Sequence, residues 1–173
     1  MNWLNIEIKA KSQRLEQIEQ LLKNLKADFK GEDHQIDTYF NVPNGRLKLR
    51  EGNIENALIH YHRANQEGPK ASHITYYKPQ ESKDLKATLT AGLGVKVVVD
   101  KRRQISFVEN VKFHLDKVEG LGTFVEIEAI DKDGTLGAEK LNEQCQHYMK
   151  LFEIQSEDLI AVSYSDLLLE TSV

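Results

Sequence analysis

Apolar and polar positions alternate from the start of the chain. Leu4, Ile6, Ile8 and Ala10 are interleaved with Asn5, Glu7 and Lys9, a period of two that predicts a half-buried strand. The period then changes. After Ser12, a suitable helix N-cap, Leu15, Ile18, Leu22, Leu25 and Phe29 recur at intervals of three and four, which predicts an amphipathic helix of about four turns. Residues 36–41 and 46–51 read as short strands around the turn Pro43-Asn44-Gly45. Residues 57–63 and 73–78 read as two more, broken by Gly68-Pro69. Ser82 to Leu93 predicts a short helix with Leu85, Leu89 and Leu93 on one face and Gly92 and Gly94 near its end. Three consecutive strands follow at 95–108, 110–117 and 123–130. The stretch Leu136–Leu151 is helical in pattern, with Leu141, Cys145, Tyr148 and the following Phe152 at helical spacing, and a last helical segment is predicted over 157–169. Short connections make the sheet mainly antiparallel, so the class is α+β, with eight strands and three or four helices.

The polar positions carry a second pattern. Opposite the apolar faces stand Glu7 and Lys9; Arg46, Lys48 and Arg50; Arg63; Lys101 and Arg103; Lys112, His114 and Asp116; Glu126 and Glu128. A solvated sheet face would explain charges, but such faces mix in Thr, Ser and Gln freely, and these strands do so little. The amphipathic helices also need an apolar surface to cover. If they cover the sheet from outside, the charged faces turn inward, and an eight-stranded β-barrel encloses them in a tunnel with a charged lumen. Burying so many charges is costly unless they are paired or hold a ligand.

Composition narrows the setting. The chain of 173 residues suits a single domain over 1–173. Its 23 Lys+Arg against 27 Asp+Glu give a formal net charge of −4, which argues against a nucleic-acid partner or an anionic membrane surface. The one cysteine allows no intrachain disulfide. No stretch approaches the roughly 18–20 apolar residues of a membrane helix, so a cytoplasmic globular protein is expected.

The inward set has its own chemistry. Glu126 and Glu128, two residues apart on a strand, point to one side and can reach one ion, and Glu7 can join them from a neighbouring strand. Carboxylate oxygens suit Mg²⁺ or Mn²⁺. Arg and Lys neutralise phosphate oxygens, Arg often in a bidentate way. Phosphoryl transfer needs little beyond positioning, charge stabilisation and an in-line nucleophile. Gly92 and Gly94 are too few and wrongly placed for a Walker phosphate loop.

At these residues the sequence resembles the CYTH domain, the triphosphate tunnel metalloenzymes, which include class IV adenylate cyclases, thiamine triphosphatases and inorganic triphosphatases. The family's E-x-E-x-K signature stands here as Asn5-Ile6-Glu7-Ile8-Lys9, with Asn in place of the first Glu. The bacterial class IV cyclase-like branch is matched best, through Gln35–Phe40, Leu47–Arg50, Val99–Arg103 and His114–Glu128, in the right order over nearly the whole chain. The resemblance implies an eight-stranded antiparallel tunnel, Glu7, Glu126 and Glu128 as metal ligands, and Lys9, Arg50, Arg63, Lys101 and Arg103 as triphosphate-binding bases. It implies catalytic roles for Lys9 and Asp116, the acid lying near a sugar hydroxyl or a second metal. Asn5 offers a carbonyl oxygen but no charge, which lowers cation affinity about tenfold.

Three functions stay open at this point: a class IV adenylate cyclase converting ATP to cyclic AMP and pyrophosphate, a triphosphatase, and a triphosphate-binding module without catalysis. A homodimer is compatible with all three. The remaining eye-catching residues have plainer readings. His60 and His62 lack further zinc-type ligands, Cys145 falls on an apolar helical stripe, Tyr39 and Phe40 suit a core, and Trp3 suits packing at a barrel rim. His114 lies on the charged face, within reach of a phosphate.

Overall fold

The computed structural model of the chain describes residues 2–171. Eight strands, β1 (Asn2–Lys11), β2 (Asp28–Phe40), β3 (Arg46–Glu51), β4 (Ala57–Arg63), β5 (Lys70–Tyr77), β6 (Val95–Val108), β7 (Val111–Val118) and β8 (Gly122–Asp131), close into one barrel. Around the barrel the order is β1-β5-β4-β3-β2-β6-β7-β8, with β8 returning to β1 and every neighbouring pair antiparallel. The helices are α1 (Leu15–Asn24), α2 (Lys83–Leu93), α3 (Gly137–Leu151) and α4 (Tyr164–Thr171).

The main apolar core lies outside the barrel. The alternating residues Ile6, Ile8 and Ala10 of β1, Phe113 and Leu115 of β7, and Val125, Ile127 and Ala129 of β8 form its floor. Ile18 and Leu22 of α1 and Leu141 and Cys145 of α3, with Phe152 just beyond, cover it. Burying a side chain such as Phe113 or Leu141 contributes roughly 1.5–3 kcal/mol, so this seam fixes which strand face looks outward. The opposite face must then look inward, as the alternation predicts. Cys145 is buried there, its Sγ 3.2 Å from the Ile6 carbonyl. Burial pushes its thiol up to about 12, so it behaves as a core residue.

Several boundaries differ from the sequence pattern. The first helix ends at Asn24, because Lys26 adopts a left-handed φ of 58° and turns the chain into β2. Phe29, read as the last residue of the helical stripe, is an exposed strand residue instead. The 36–41 strand begins eight residues earlier, at Asp28, and pairs with β6 along its length. Tertiary pairing extends it through Glu32, Asp33 and His34, whose own propensities disfavour strand. The predicted 157–169 helix divides into a single 3₁₀ turn at Ser156–Asp158 and α4. In α2 none of the side chains is buried, so the Leu85–Leu89–Leu93 stripe covers no core.

The Asn44-Gly45 turn forms as expected between β2 and β3. Gly45 has φ 63°, and a Cβ there would fall 2.7 Å from the Tyr61 carbonyl oxygen, so both conformation and space require glycine. His60 approaches the same turn, with its Nε2 2.8 Å from the Asn44 carbonyl. That contact gives His60 a structural role.

Candidate functional site in the barrel lumen

Register assembles the site. On β1 and β8, Glu7 sits directly opposite Glu128 and Lys9 opposite Glu126. On β7, Lys112 sits opposite Glu128 and His114 opposite Glu126. Farther round the wall Arg103 faces Asp116, and Asp37 faces Arg50. All these side chains share the inner face. They surround a cavity of about 270 Å³ whose lining includes nine Lys or Arg residues and four Glu. A chain of net charge −4 thus concentrates positive charge in one enclosed place.

The bases are held from behind by two buried aspartates. Asp37 accepts two hydrogen bonds from Arg50, Nε at 2.9 Å and Nη2 at 2.8 Å, and one from Lys101 Nζ at 2.7 Å. Lys48 Nζ lies 3.3 Å away. Burial alone would raise the Asp37 carboxyl, but the charges of Arg50, Lys101 and Lys48 outweigh it and hold it well below the usual carboxylate range. Asp116 does the same for Arg103, accepting from Nε and Nη2 at 2.7 Å each. The Tyr164 hydroxyl donates to it from α4 at 2.7 Å. Asp116 is fully buried and does not line the cavity.

The glutamates stand forward of this layer. Glu126 lies 3.2 Å from both Lys9 Nζ and Arg103 Nη2, and 2.8 Å from His114 Nδ1. Burial would raise its carboxyl, yet Lys9, Arg103 and His114 bring it well below the usual range. Burial and the Arg103 charge lower His114, so the neutral ring donates through Nδ1 to Glu126 and presents Nε2 3.8 Å from Glu128. Glu7 is paired with Arg63, and Asn5 Nδ2 donates to Glu128. Asn5 is fully buried, and its Oδ1 has no hydrogen-bond partner among the described residues.

The two ends of the lumen differ. At the Lys9–Lys70 end the chain segment before α4 closes over the opening. There Ile160 N donates to the Lys9 carbonyl and Lys70 Nζ to the Ala161 carbonyl at 2.8 Å. Burial, with repulsion from Arg63 and Lys9, pulls the Lys70 ammonium down to about 7. Tyr164 completes this end, its ring 4.0 Å from Lys9 Nζ. At the other end lie Trp3, Tyr76 and Phe107, with Lys112 and Lys132 beside the rings. The β3–β4 loop also reaches in from this side. Asp33 anchors it by accepting from the Ile54 and Glu55 amides, and Glu55 then meets Arg50 and Lys112.

The predicted residues therefore come together. Glu7, Lys9, Arg50, Arg63, Lys101, Arg103, Glu126 and Glu128 all line one cavity, while Asp116 stands behind Arg103. Arg46 does not join them. It pairs with Asp166 of α4 at the closed end, at 2.6 Å. Sequence reasoning missed Asp37, Glu55 and Tyr164 as part of the site, and it placed Lys112 on the inward face without giving it a role. Asp37 was findable by the alternation that gave Lys112, but Glu55 and Tyr164 come from a loop and a helix and carry no pattern. Among the described residues no three His, Cys, Asp or Glu side chains are already gathered as a metal cluster. Basic side chains stand between the carboxylates.

A closed antiparallel barrel with a lumen of opposed bases and carboxylates defines a charged-tunnel protein. The sequence matches the CYTH domain over residues 4–164, and the chain belongs to that family. It is 28% identical over 178 residues to a Methanocaldococcus jannaschii protein named "Putative adenylate cyclase", covering 95% of this chain and 98% of that one. A protein of Pyrococcus horikoshii OT3 has the same fold, with a TM-score of 0.77, 25% identity and coverage of 94% and 98%. An adenylyl cyclase homologue from Hippeastrum, described as having a dominant triphosphatase activity, superposes with a TM-score of 0.60 at 16% identity, covering 98% of this chain and 95% of that one. At that identity the likeness is one of fold. No helix among the described residues is long and apolar enough to cross a membrane.

Proposed function

We propose that the protein is a Mg²⁺- or Mn²⁺-dependent enzyme that cleaves a triphosphate inside the barrel. The observation that carries this reading is the inner wall itself: bases oriented by buried aspartates, with glutamates placed among them. Lys9, Arg50, Arg63, Lys101 and Arg103 hold the phosphate oxygens. Asp37 and Asp116 are positioning residues that fix the guanidinium planes of Arg50 and Arg103. Preorganised donors of this kind stabilise developing charge without reorganising during the reaction.

The residues present fit a divalent cation. Glu7 and Glu128 face each other across β1 and β8, where like charges repel unless a cation lies between them. Glu126 is next along β8, and the unpartnered Asn5 Oδ1 adds a neutral oxygen on the same wall. Hard oxygen donors suit Mg²⁺ or Mn²⁺. The cation would neutralise phosphate charge and orient the chain of phosphates. Arg63, now paired with Glu7, exchanges that carboxylate for phosphate as ion and substrate enter. Metal and triphosphate binding are then mutually favourable.

The first assignment is adenylate cyclisation. The ribose 3′-oxygen attacks the α-phosphorus, the bond to the β-phosphate bridging oxygen breaks, pyrophosphate leaves and the hydroxyl proton passes to a base. The relationship to the Methanocaldococcus protein supports it. The second is triphosphate hydrolysis, with water attacking the terminal phosphorus, its bond to the bridging oxygen breaking, and orthophosphate and the diphosphate leaving. The burial of Asp116 behind Arg103 and Tyr164 favours it, because that carboxylate is not presented to a sugar hydroxyl. One incubation decides. The protein is given Mg²⁺ or Mn²⁺ and, separately, ATP, thiamine triphosphate or inorganic triphosphate, and cyclic AMP, pyrophosphate and orthophosphate are quantified together. Cyclic AMP with equal pyrophosphate establishes the cyclase, and orthophosphate without cyclic AMP establishes the triphosphatase, with pyrophosphate as its partner product when the substrate is inorganic triphosphate. Binding without turnover, read as a raised Tm, would reduce the protein to a binding module and overturn the enzyme reading.

A further inference from the structure

Resting on the triphosphate reading above, we infer that Trp3 is the specificity-determining residue that recognises a planar aromatic head group attached to the phosphates. Trp3 begins the inner face of β1, four residues before Glu7 and at the mouth opposite the end closed by Tyr164. Its ring packs on Tyr76 at a centroid distance of 5.3 Å and an interplanar angle of 43°. Ile74 lies opposite it on β5, and Ile130 lines the same stretch of wall. Lys132 Nζ sits 5.5 Å from the Trp3 ring. This stretch is aromatic and aliphatic with lysines at its edge, whereas deeper in the aromatic rings of Tyr39, Tyr61 and Tyr164 are covered by the ammonium and guanidinium groups of Lys48, Arg63 and Lys9.

That division suits a ligand with two chemically different halves. The phosphates occupy the charged interior, and a flat ring leaves it at the mouth, where an indole offers a π-face and a lysine reinforces the stack. A purely structural indole is expected to have its N–H satisfied when buried. Here Trp3 Nε1 is shut off from solvent with no hydrogen-bond partner among the described residues. An inorganic triphosphate would leave this apolar collar unused. The collar therefore points to an organic triphosphate, and a nucleobase and a thiamine-type heterocycle share the required chemistry.

Trp3 is the only tryptophan in the chain, so its fluorescence reports on this position alone. The full chain with Mg²⁺ is titrated with ATP, thiamine triphosphate and inorganic triphosphate, and binding is followed in parallel by the shift in Tm. The expected result is that at least one organic triphosphate alters Trp3 emission, and which one does so names the head group. Saturating inorganic triphosphate raises Tm and leaves the emission unchanged. Trp3→Leu and Tyr76→Leu each weaken the organic ligand about tenfold and leave inorganic triphosphate unaffected. If all triphosphates bind and none changes the emission, or if Trp3→Leu weakens inorganic and organic ligands alike, the inference is overturned while the triphosphate site stands. If no triphosphate shifts Tm, the site reading fails and the inference falls with it. The wild-type titration needs no variant, so an unfolded Trp3→Leu protein does not remove the test.

Discussion

Two sets of carboxylates line the same barrel wall and differ in reach. The aspartates Asp37 and Asp116 have short side chains, no solvent exposure, and oxygens wholly engaged by Arg50, Lys101, Arg103 and Tyr164. The glutamates Glu7, Glu126 and Glu128 are one methylene longer, and their side chains remain 16–18% exposed to the cavity. Both sets alternate with apolar residues and both face inward. The extra length moves a carboxylate from the layer that orients the bases to the layer that reaches the cavity. An inward charge therefore has two distinct uses, and depth from the backbone separates them.

Exchanging the layers tests this. The largest effect is expected at the forward layer. Glu126→Ala should abolish metal-dependent turnover while the protein still unfolds cooperatively, as followed by product release and by circular dichroism. Full activity in this variant would remove Glu126 from the metal shell. Next comes the rear layer. Asp37→Ala leaves Arg50 and Lys101 buried without their counterion, and breaking such a pair costs about 3–5 kcal/mol. Urea unfolding should show that loss, and it should exceed the stability lost in the Glu126 variant.

The pH dependence of stability sharpens the same contrast. The carboxyl of Asp37 is depressed in the fold, so its contribution is fully present above the unfolded-state value of about 3.9 and is lost as pH falls through the lower folded value. The urea midpoint should decline below about pH 4 in the wild-type protein, and Asp37→Asn should flatten that decline. A slope unchanged by the substitution would place the acid sensitivity elsewhere. The smallest effect is expected at Asn5. Asn5→Glu adds a carboxylate beside Glu128, so it should tighten Mn²⁺ binding about tenfold, a difference of about 1.4 kcal/mol. It should also lower the Tm of the metal-free protein, because the added charge meets Glu128 without a partner. Calorimetric titration and thermal unfolding read the two consequences separately.

Much of this arrangement is legible in the sequence. A strict period of two places Glu7 with Lys9, Arg50 with Lys48, and Glu126 with Glu128 on shared faces. The helical stripes of α1 and α3 need an apolar surface, which forces those faces inward. The leucine stripe of α2 shows the limit of the same logic, since it predicts burial and finds none. The left-handed turn at Lys26 and the long β2 were likewise hidden, because pairing with β6 overrides the local propensity of Glu32, Asp33 and His34.

By itself, then, the sequence determined the number of strands, the sign of charge on each face and the family, because all three rest on local or alternating properties. Only the tertiary structure decided that Asp37 and Asp116 stand behind their bases, that Glu55 arrives from a loop and Tyr164 from a helix, and that Trp3 packs on Tyr76 at the barrel rim. Those facts depend on closure of the barrel and on the packing of distant segments against it, and no local pattern in the chain encodes the distance across a lumen.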